Sequence, residues 1–393
     1  MPKQAADHLS RRLTVALGLH QVVAWGTTFY IPAVILDAVA RDLGATRTSL
    51  LVGFSGALIV AGGCAPAIGA WIGCVGGRQP MACGALLLAL GLVILAVAPD
   101  LRLWWLGWAV LGLAMALSLY DAAFAAAGVA LGPAATVTIT GIALIGGFAS
   151  TLGWPAGSLL LPHLGWRGLL LVYATLHLAV TLPLVLLAVP RALHGPTAPL
   201  TTTSVPERRR DRLQIACIGA FFALRWFITS AIAVHVLILM GGLGLSPTQA
   251  MAAAMLIGPG QVVGRLLEWI TARRLDPLSR ARVGALLFPA GALLLISDRV
   301  EAAFAFAVLY GMSNGILTVN RGTLPMVVLG PQRYAARLGW IALPVMLAQA
   351  TAPTLTAPWI AATRGAEPFI LAGAIAGASA LLLLPLRARS GVR

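Results

Sequence analysis

Charge is what this chain has least of. Asp, Glu, Lys and Arg make up 10% of its 393 residues, against about 25% in soluble domains, which excludes an ordinary water-soluble globule. Lysine is nearly missing, with Lys3 its one instance. No Gly-x-x-x-x-Gly-Lys-[Ser/Thr] loop exists, so ATP-driven work within this chain is not indicated. Cysteine is scarce as well: Cys64, Cys74, Cys83 and Cys217 show no Cys-x-x-Cys spacing, so neither a metal site nor a disulfide framework is expected. Ser, His and Asp occur without a nucleophile motif, so the chain does not read as an enzyme and calls for no cofactor. Acidic residues number 12 against 27 basic ones, leaving a formal charge of +15. In a soluble protein that excess would suggest nucleic acid. Here the arginines fall mostly between apolar segments, on alternate sides, as in a membrane protein.

What the chain has is apolar length. It is 59% hydrophobic, with a mean hydropathy of +0.92. Charged and Gly/Pro-rich breaks cut it into segments at roughly 13–40, 48–73, 79–98, 103–130, 137–161, 167–189, 214–241, 248–271, 283–297, 301–324, 336–361 and 367–386. Each comes near the ~20 residues that cross a bilayer, and the longer ones span it with tilt. We therefore expect an all-α membrane protein of twelve transmembrane helices, because lipid leaves backbone groups no partners outside a helix. The first segment follows Arg11-Arg12 and ends in Ala-Val-Ala like a signal peptide. It is too long for one and carries His20, Gln21 and Thr27-Thr28, so it reads as the first span.

Arginine placement orients the chain. One set of helix ends carries Arg11, Arg12, Arg78, Arg191, Arg208, Arg209, Arg210, Arg212, Arg273, Arg274 and several more, while the other carries Arg41, Arg47, Arg102, Arg167, Arg299 and Arg364. The richer side is the cytoplasmic one, which puts both termini in the cytoplasm of a cell with a bacterial-type inner membrane. Pro190 to Arg212 is rich in Pro, Thr and Arg and reads as a solvated linker. Its Arg208-Arg209-Arg210 run suits lipid headgroups better than nucleic acid. The expected layout is a bundle over 1–190, a linker over 191–213 and a second bundle over 214–393. Three short matches support two parallel repeats: Trp71-Ile72 with Trp269-Ile270, Leu131-Gly-Pro133 with Leu329-Gly-Pro331, and Gly141-Ile-Ala-Leu144 with Trp340-Ile-Ala-Leu343, all spaced by 198 or 199 residues.

With this helix count, the paired halves and the cytoplasmic linker, the chain resembles a major facilitator superfamily transporter. After the second helix it reads Gly69-Ala-Trp-Ile-Gly73-Cys74-Val-Gly76-Gly77-Arg78 where that superfamily carries Gly-x-x-x-Asp-Arg-x-Gly-Arg-[Arg/Lys]. The glycines and the last arginine match; Gly73 and Cys74 replace the aspartate and the first arginine. A narrower resemblance is to the monocarboxylate and oxalate–formate porter group, whose eighth helix carries an arginine that pairs with the substrate carboxylate. Gln261-Val-Val-Gly-Arg265 matches at the arginine and has glutamine where some members carry aspartate. The resemblance implies alternating access, a central cavity lined by helices 1, 4, 7 and 10, and a carboxylate substrate.

Those helices hold most of the polar groups at membrane depth. His20, Gln21, Thr27 and Tyr30 are on helix 1, with Ser118, Tyr120 and Asp121 on helix 4. Helix 7 has Arg225, Trp226 and Thr229; helix 10 has Asn314, Thr318 and Arg321. Counted at 1.5 Å per residue from the nearest cytoplasmic break, His20, Asp121, Arg225, Arg265 and Arg321 lie roughly 12–20 Å deep. An ionised group there costs about 2.5–3.5 kcal/mol, so by default it marks a site. The positive surplus calls for a small organic anion, with Arg225, Arg265 and Arg321 as its cationic partners, Gln261 and Asn314 as polar ones, and Tyr30, Trp226 and Phe227 shaping an apolar wall. Asp121 and His20 are the candidates for a co-transported proton. For Arg265 a local reading also stands, an ion pair with Glu268 three residues on. The competing function is a proton-driven exporter of amphiphilic drugs or metabolites, suggested by Gly153-Trp-Pro155-Ala-Gly157 in helix 5. The chain is expected to work as a monomer in the bilayer.

Overall fold

A computed structural model describes residues 3–191, 209–272, 274–363 and 365–388, and among these no strand occurs. Arg208, Arg273, Arg364 and most of the expected linker lie outside the described residues. In chain order the helices are α1 (Lys3–Thr27), α2 (Pro32–Leu43), α3 (Arg47–Val75), α4 (Arg78–Val97), α5 (Leu101–Ser118), α6 (Tyr120–Leu131), α7 (Ala135–Gly146), α8 (Ala149–Leu176) and α9 (Leu182–Ala188). They continue as α10 (Arg209–Gly242), α11 (Pro247–Thr271), α12 (Pro277–Leu294), α13 (Val300–Leu329), α14 (Tyr334–Ala362) and α15 (Glu367–Ala380). Several of these are joined end to end, and together they make the twelve spans of a membrane bundle.

Four expected spans are broken or merged rather than straight and separate. The first divides into α1 and α2 because Pro32 opens α2, and a proline has no N–H to give to the carbonyl of residue 28. The fourth divides at Leu119, which is extended at φ −76° and ψ −171°. The fifth and sixth run together through α8, whose helical path is interrupted at Gly165 (φ 64°). A π turn, His177–Thr181, then leads into α9. In the opposite sense, the expected linker ends early: α10 already starts at Arg209, and Asp211 sits favourably in its first turn.

The chain divides into two compact units, one of residues 1–206 with 331–343, the other of residues 207–330 with 344–393. In the first unit α3 packs on α5 and α1 on α7 and α8. Small residues permit the approach: Gly112 lies against the backbone of Ala57 and Gly153 against Gly26. Gly76 closes α3 in a positive-φ conformation (φ 79°) and Gly77 lies against Ala126, so these two glycines are required by the turn and by the packing. At the far end Arg167 bonds the carbonyls of Ala96 and Ala98 (2.8 and 3.0 Å) and the carboxylate of Asp42 (2.9 Å). In the second unit α13 is the central element, packed on α11 and α12 and buried along most of its length. Phe288, Phe306, Tyr310 and Phe369 stack around its first half.

Candidate binding site

In the first unit the polar groups gather at the break between α5 and α6. The Ser118 carbonyl, released from its helix by the extended Leu119, accepts from Gln21 Nε2 (2.8 Å) and lies 3.1 Å from His20 Nε2. A carbonyl accepts only, so His20 carries its proton on Nε2, and buried Nδ1 has no hydrogen-bond partner among the described residues. Gln21 in turn accepts from Trp25 Nε1 (3.0 Å). Behind His20, His177 bonds Thr27 (2.8 Å) and Thr181 (3.1 Å). Asp121 stands in the first turn of α6, where the helix dipole favours a carboxylate. Tyr30 meets the ring of Trp154 edge-on at 5.5 Å and that of Phe29 at 5.5 Å. His20, Asp121 and Tyr30 thus belong to one unit, on α1, on α6 and at the end of α1.

The second unit holds the arginines. Arg225, on α10, is 1% exposed. Its Nη2 donates to Ser313 Oγ (2.7 Å), and its guanidinium carbon lies 5.0 Å from the Phe288 ring. The Ser313 hydroxyl spends its own proton on the Gly284 carbonyl (2.6 Å), so it offers Arg225 a lone pair in a fixed direction. Arg225 Nε and Nη1 have no partner among the described residues. Four residues along α10, Thr229 donates to Asn314 Oδ1 (3.1 Å). Trp226 lies between them in sequence, its ring 5.4 Å from the guanidinium of Arg321.

Arg265 comes from α11, which is clamped to α13 through glycines. Gly264 abuts Met312, and Gly315 abuts the backbone of Gln261 and Arg265. Either position would clash if it carried a Cβ. The Arg265 side chain reaches back to Gln261 Oε1 at 3.4 Å, a weak contact, and its buried Nε has no partner among the described residues. The expected pairing with Glu268 does not form. Glu268 is held by Arg280 instead, at 2.8 Å between two buried side chains, and Arg280 also bonds the Glu268 carbonyl (2.9 Å). The partner therefore arrives from the next helix. Arg225, Trp226, Gln261, Arg265, Asn314 and Arg321 all lie in this unit, on three adjacent helices. Ser313, Phe288 and Arg280 belong to the same arrangement and were not singled out from the sequence. Ser313 adjoins Asn314 in Gly311-Met-Ser-Asn-Gly315, where its position on a polar helix was the available signal.

Among the described residues no cluster of His, Cys, Asp and Glu is arranged to hold a metal. The fold is that of a polytopic membrane protein built of helices. The sequence profile of the Major Facilitator Superfamily matches residues 18–353, and the chain belongs to that superfamily of transporters. It is 33% identical over 262 residues to human monocarboxylate transporter 11, a match taking in 61% of this chain and 54% of the relative, so the chain spans about half the length of that protein. Among solved structures it is similar to the human organic anion transporter MFSD10 (TETRAN), at a TM-score of 0.71 and 19% identity over 95% of this chain and 99% of the other. It is also similar to the proton:xylose symporter XylE bound to 6-bromo-6-deoxy-D-glucose, at a TM-score of 0.73 and 14% identity over 95% of each chain. These two likenesses speak for the twelve-helix fold.

Proposed function

We propose that the chain is a secondary active transporter of a small organic anion, a monocarboxylate first of all, carried together with a proton by alternating access of two six-helix halves, 1–190 and 214–393. The observation that carries this reading is the pair of arginines in the second unit, Arg225 and Arg265, which are buried and have no carboxylate partner among the described residues. Arginine does not readily relieve its burial by losing a proton, because its delocalised guanidinium holds the charge far more firmly than an amine does. The nearest acid on the same helix, Glu268, is already committed to Arg280. A carboxylate from outside satisfies the bare N–H groups in the geometry a guanidinium favours. The names of monocarboxylate transporter 11 and of the organic anion transporter agree in substrate sign. A cation exporter needs a free buried acid instead, and Glu268 is not free.

In this reading Arg225 and Arg265 bind the anion with Arg321 as a third cationic partner, Gln261 and Asn314 supply further polar contacts, and Trp226 forms part of the apolar wall. Importing a monoanion against a negative interior costs about 2.3 kcal/mol per 100 mV, and one accompanying proton cancels that charge. His20, with its bare Nδ1, and Asp121 are the proton carriers. The protein sits in a bacterial-type inner membrane with both termini cytoplasmic, as a monomer.

The test is uptake into proteoliposomes of small carboxylates, against neutral and cationic compounds, with and without an inward proton gradient. Carboxylate uptake that collapses with a protonophore is expected. Arg265→Lys is expected to raise KM at least about tenfold, the equivalent of about 1.4 kcal/mol. Preference for a cation, or a KM unchanged in both Arg225→Lys and Arg265→Lys, ends the reading.

A further inference from the structure

At one end of the first unit, α1 and α9 leave an open groove of about 470 Å³ between them. Its floor and walls are apolar: Val15 and Ala16 from α1, Leu184 and Leu187 from α9. Val15 is 53% and Leu187 78% exposed, so no other part of the described chain covers them. Arg11 and Arg12 line the same groove. Both are exposed, and neither makes a hydrogen bond or ion pair with the described residues. Their positions along α1 put them one turn before Val15 and Ala16, with the groove running away from them into the depth of the span. Leu184 and Leu187 fall on one face of α9 at i and i+3, beyond the π turn His177–Thr181. The result is a feature with two cations at its mouth and hydrocarbon below.

We propose that this groove is a binding site for one anionic phospholipid, its phosphate held by Arg11 and Arg12 and an acyl chain laid against Val15, Leu184 and Leu187. Both ends of that ligand are specified. The aliphatic stems of the arginines form part of the apolar wall while their guanidinium groups reach the headgroup plane. A cation near the surface of an anionic membrane gains about 1 kcal/mol, and clustered basic residues beside a span are the usual headgroup contact. Free phosphate would use the arginines and leave the groove empty. A zwitterionic lipid would fill the groove and bring its own cation toward the two guanidinium groups.

The experiment is native mass spectrometry of the full chain released from nanodiscs, titrated with phosphatidylglycerol, phosphatidylcholine or inorganic phosphate. One phosphatidylglycerol is expected to bind roughly twenty-fivefold more tightly than phosphatidylcholine, from two arginines at about fivefold each. Arg11→Gln with Arg12→Gln is expected to bring that preference close to one, and Leu187→Ala to weaken both lipids; all three side chains are exposed and none of the changes puts a charge into lipid, so the fold tolerates them. Equal affinity for the two lipids in the parent chain overturns the proposal, as does a preference that survives the double arginine substitution. Competition by millimolar phosphate that displaces the lipid fully overturns the lipid assignment in favour of a plain anion site.

Discussion

A buried guanidinium is only as well aimed as the group that holds it. Arg225 is held at one corner by Ser313, whose hydroxyl is itself fixed by the Gly284 carbonyl. Removing that hydroxyl frees the guanidinium to rotate over the Phe288 ring and leaves the Gly284 carbonyl without its donor. Ser313→Ala is therefore expected to raise KM for the transported anion about threefold to tenfold, at 0.5–1.5 kcal/mol for one hydrogen bond. Ser313→Thr, which keeps the hydroxyl, is expected to restore it. Uptake kinetics on the two variants read this directly, and a loss shared by both points to packing alone. The sequence displayed the arginines because a charge in an apolar run needs no context to be noticed. It did not display Ser313, one small polar residue among Gly311, Met312, Asn314 and Gly315, whose role depends on a helix 88 residues away. The i+3 rule failed for Arg265 and Glu268 for a related reason: a neighbouring helix offered Glu268 a better partner.

Between residues and the molecule stand the helix contacts. The α11–α13 seam is made of glycines on both sides, with Gly260 and Gly264 facing Val308, Gly311 and Met312, and Gly311 and Gly315 facing Ile257 and Gln261. Backbones that touch leave no room for a side chain. Gly264→Leu is expected to part the helices that carry Arg265 and Ser313, costing about 1–3 kcal/mol or more and lowering the thermal unfolding midpoint well beyond that of Gly258→Ala, where a Cβ meets nothing within 4 Å. At the start of α12, the Asp276 carboxylate accepts from the N–H groups of Leu278 and Ser279 (2.9 and 3.1 Å) and from the Ser279 hydroxyl (2.7 Å). Partial burial raises its pKa, but these hydrogen bonds outweigh it and hold the carboxyl below its ordinary 3.8. A depressed pKa stabilises the fold fully above the unfolded value and is lost as pH falls through the folded one. Asp276→Ala is expected to cost about 1 kcal/mol, with a gap between parent and variant that is flat from pH 8 to about pH 5 and closes only below 3.8. Denaturation midpoints across that range measure it. The break at Pro32 has a signal in the proline, yet apolar length alone reads 13–40 as one span. The one at Leu119 was not, since Ser118-Leu119-Tyr120 contains neither glycine nor proline and the carbonyl there is captured by side chains from α1.

For the molecule as a whole, the bilayer did most of the sequence's work. A solvent that forbids unpaired backbone leaves helices as the answer to apolar length, so span positions followed from hydropathy alone. The repeat is also clearer in the backbone than in the letters. Positive-φ glycines occur at Gly44 and Gly244, at Gly132 and Gly330, and at Gly165 and Gly365, in pairs 198 to 200 residues apart. Thr46 and Ser246, likewise 200 apart, cap α3 and α11 with the same side-chain bond. The Gly132/Gly330 pair also shows in the letters, as Leu131-Gly-Pro133 and Leu329-Gly-Pro331; the others stand in no short identity, because a cap needs a hydroxyl and a turn needs a glycine, while the residues around them are free to vary. Orientation is checked by Cys74, exposed where α3 ends. A membrane-impermeant maleimide is expected to label it in inside-out vesicles and not in right-side-out ones, and the reverse pattern inverts the assigned topology.

The repeat also shows where the halves stop being alike. From Leu119, where one span is divided, 198 residues lead to Leu317, in the middle of the unbroken α13. One limb has an elbow where its twin is a plain rod. At the elbow the extended Leu119 interrupts the helical ladder, whereas around Leu317 the ladder runs on without a break. Deuterium should therefore enter the first stretch well before the second, and the fastest-exchanging amides at membrane depth should lie beside His20 and Asp121.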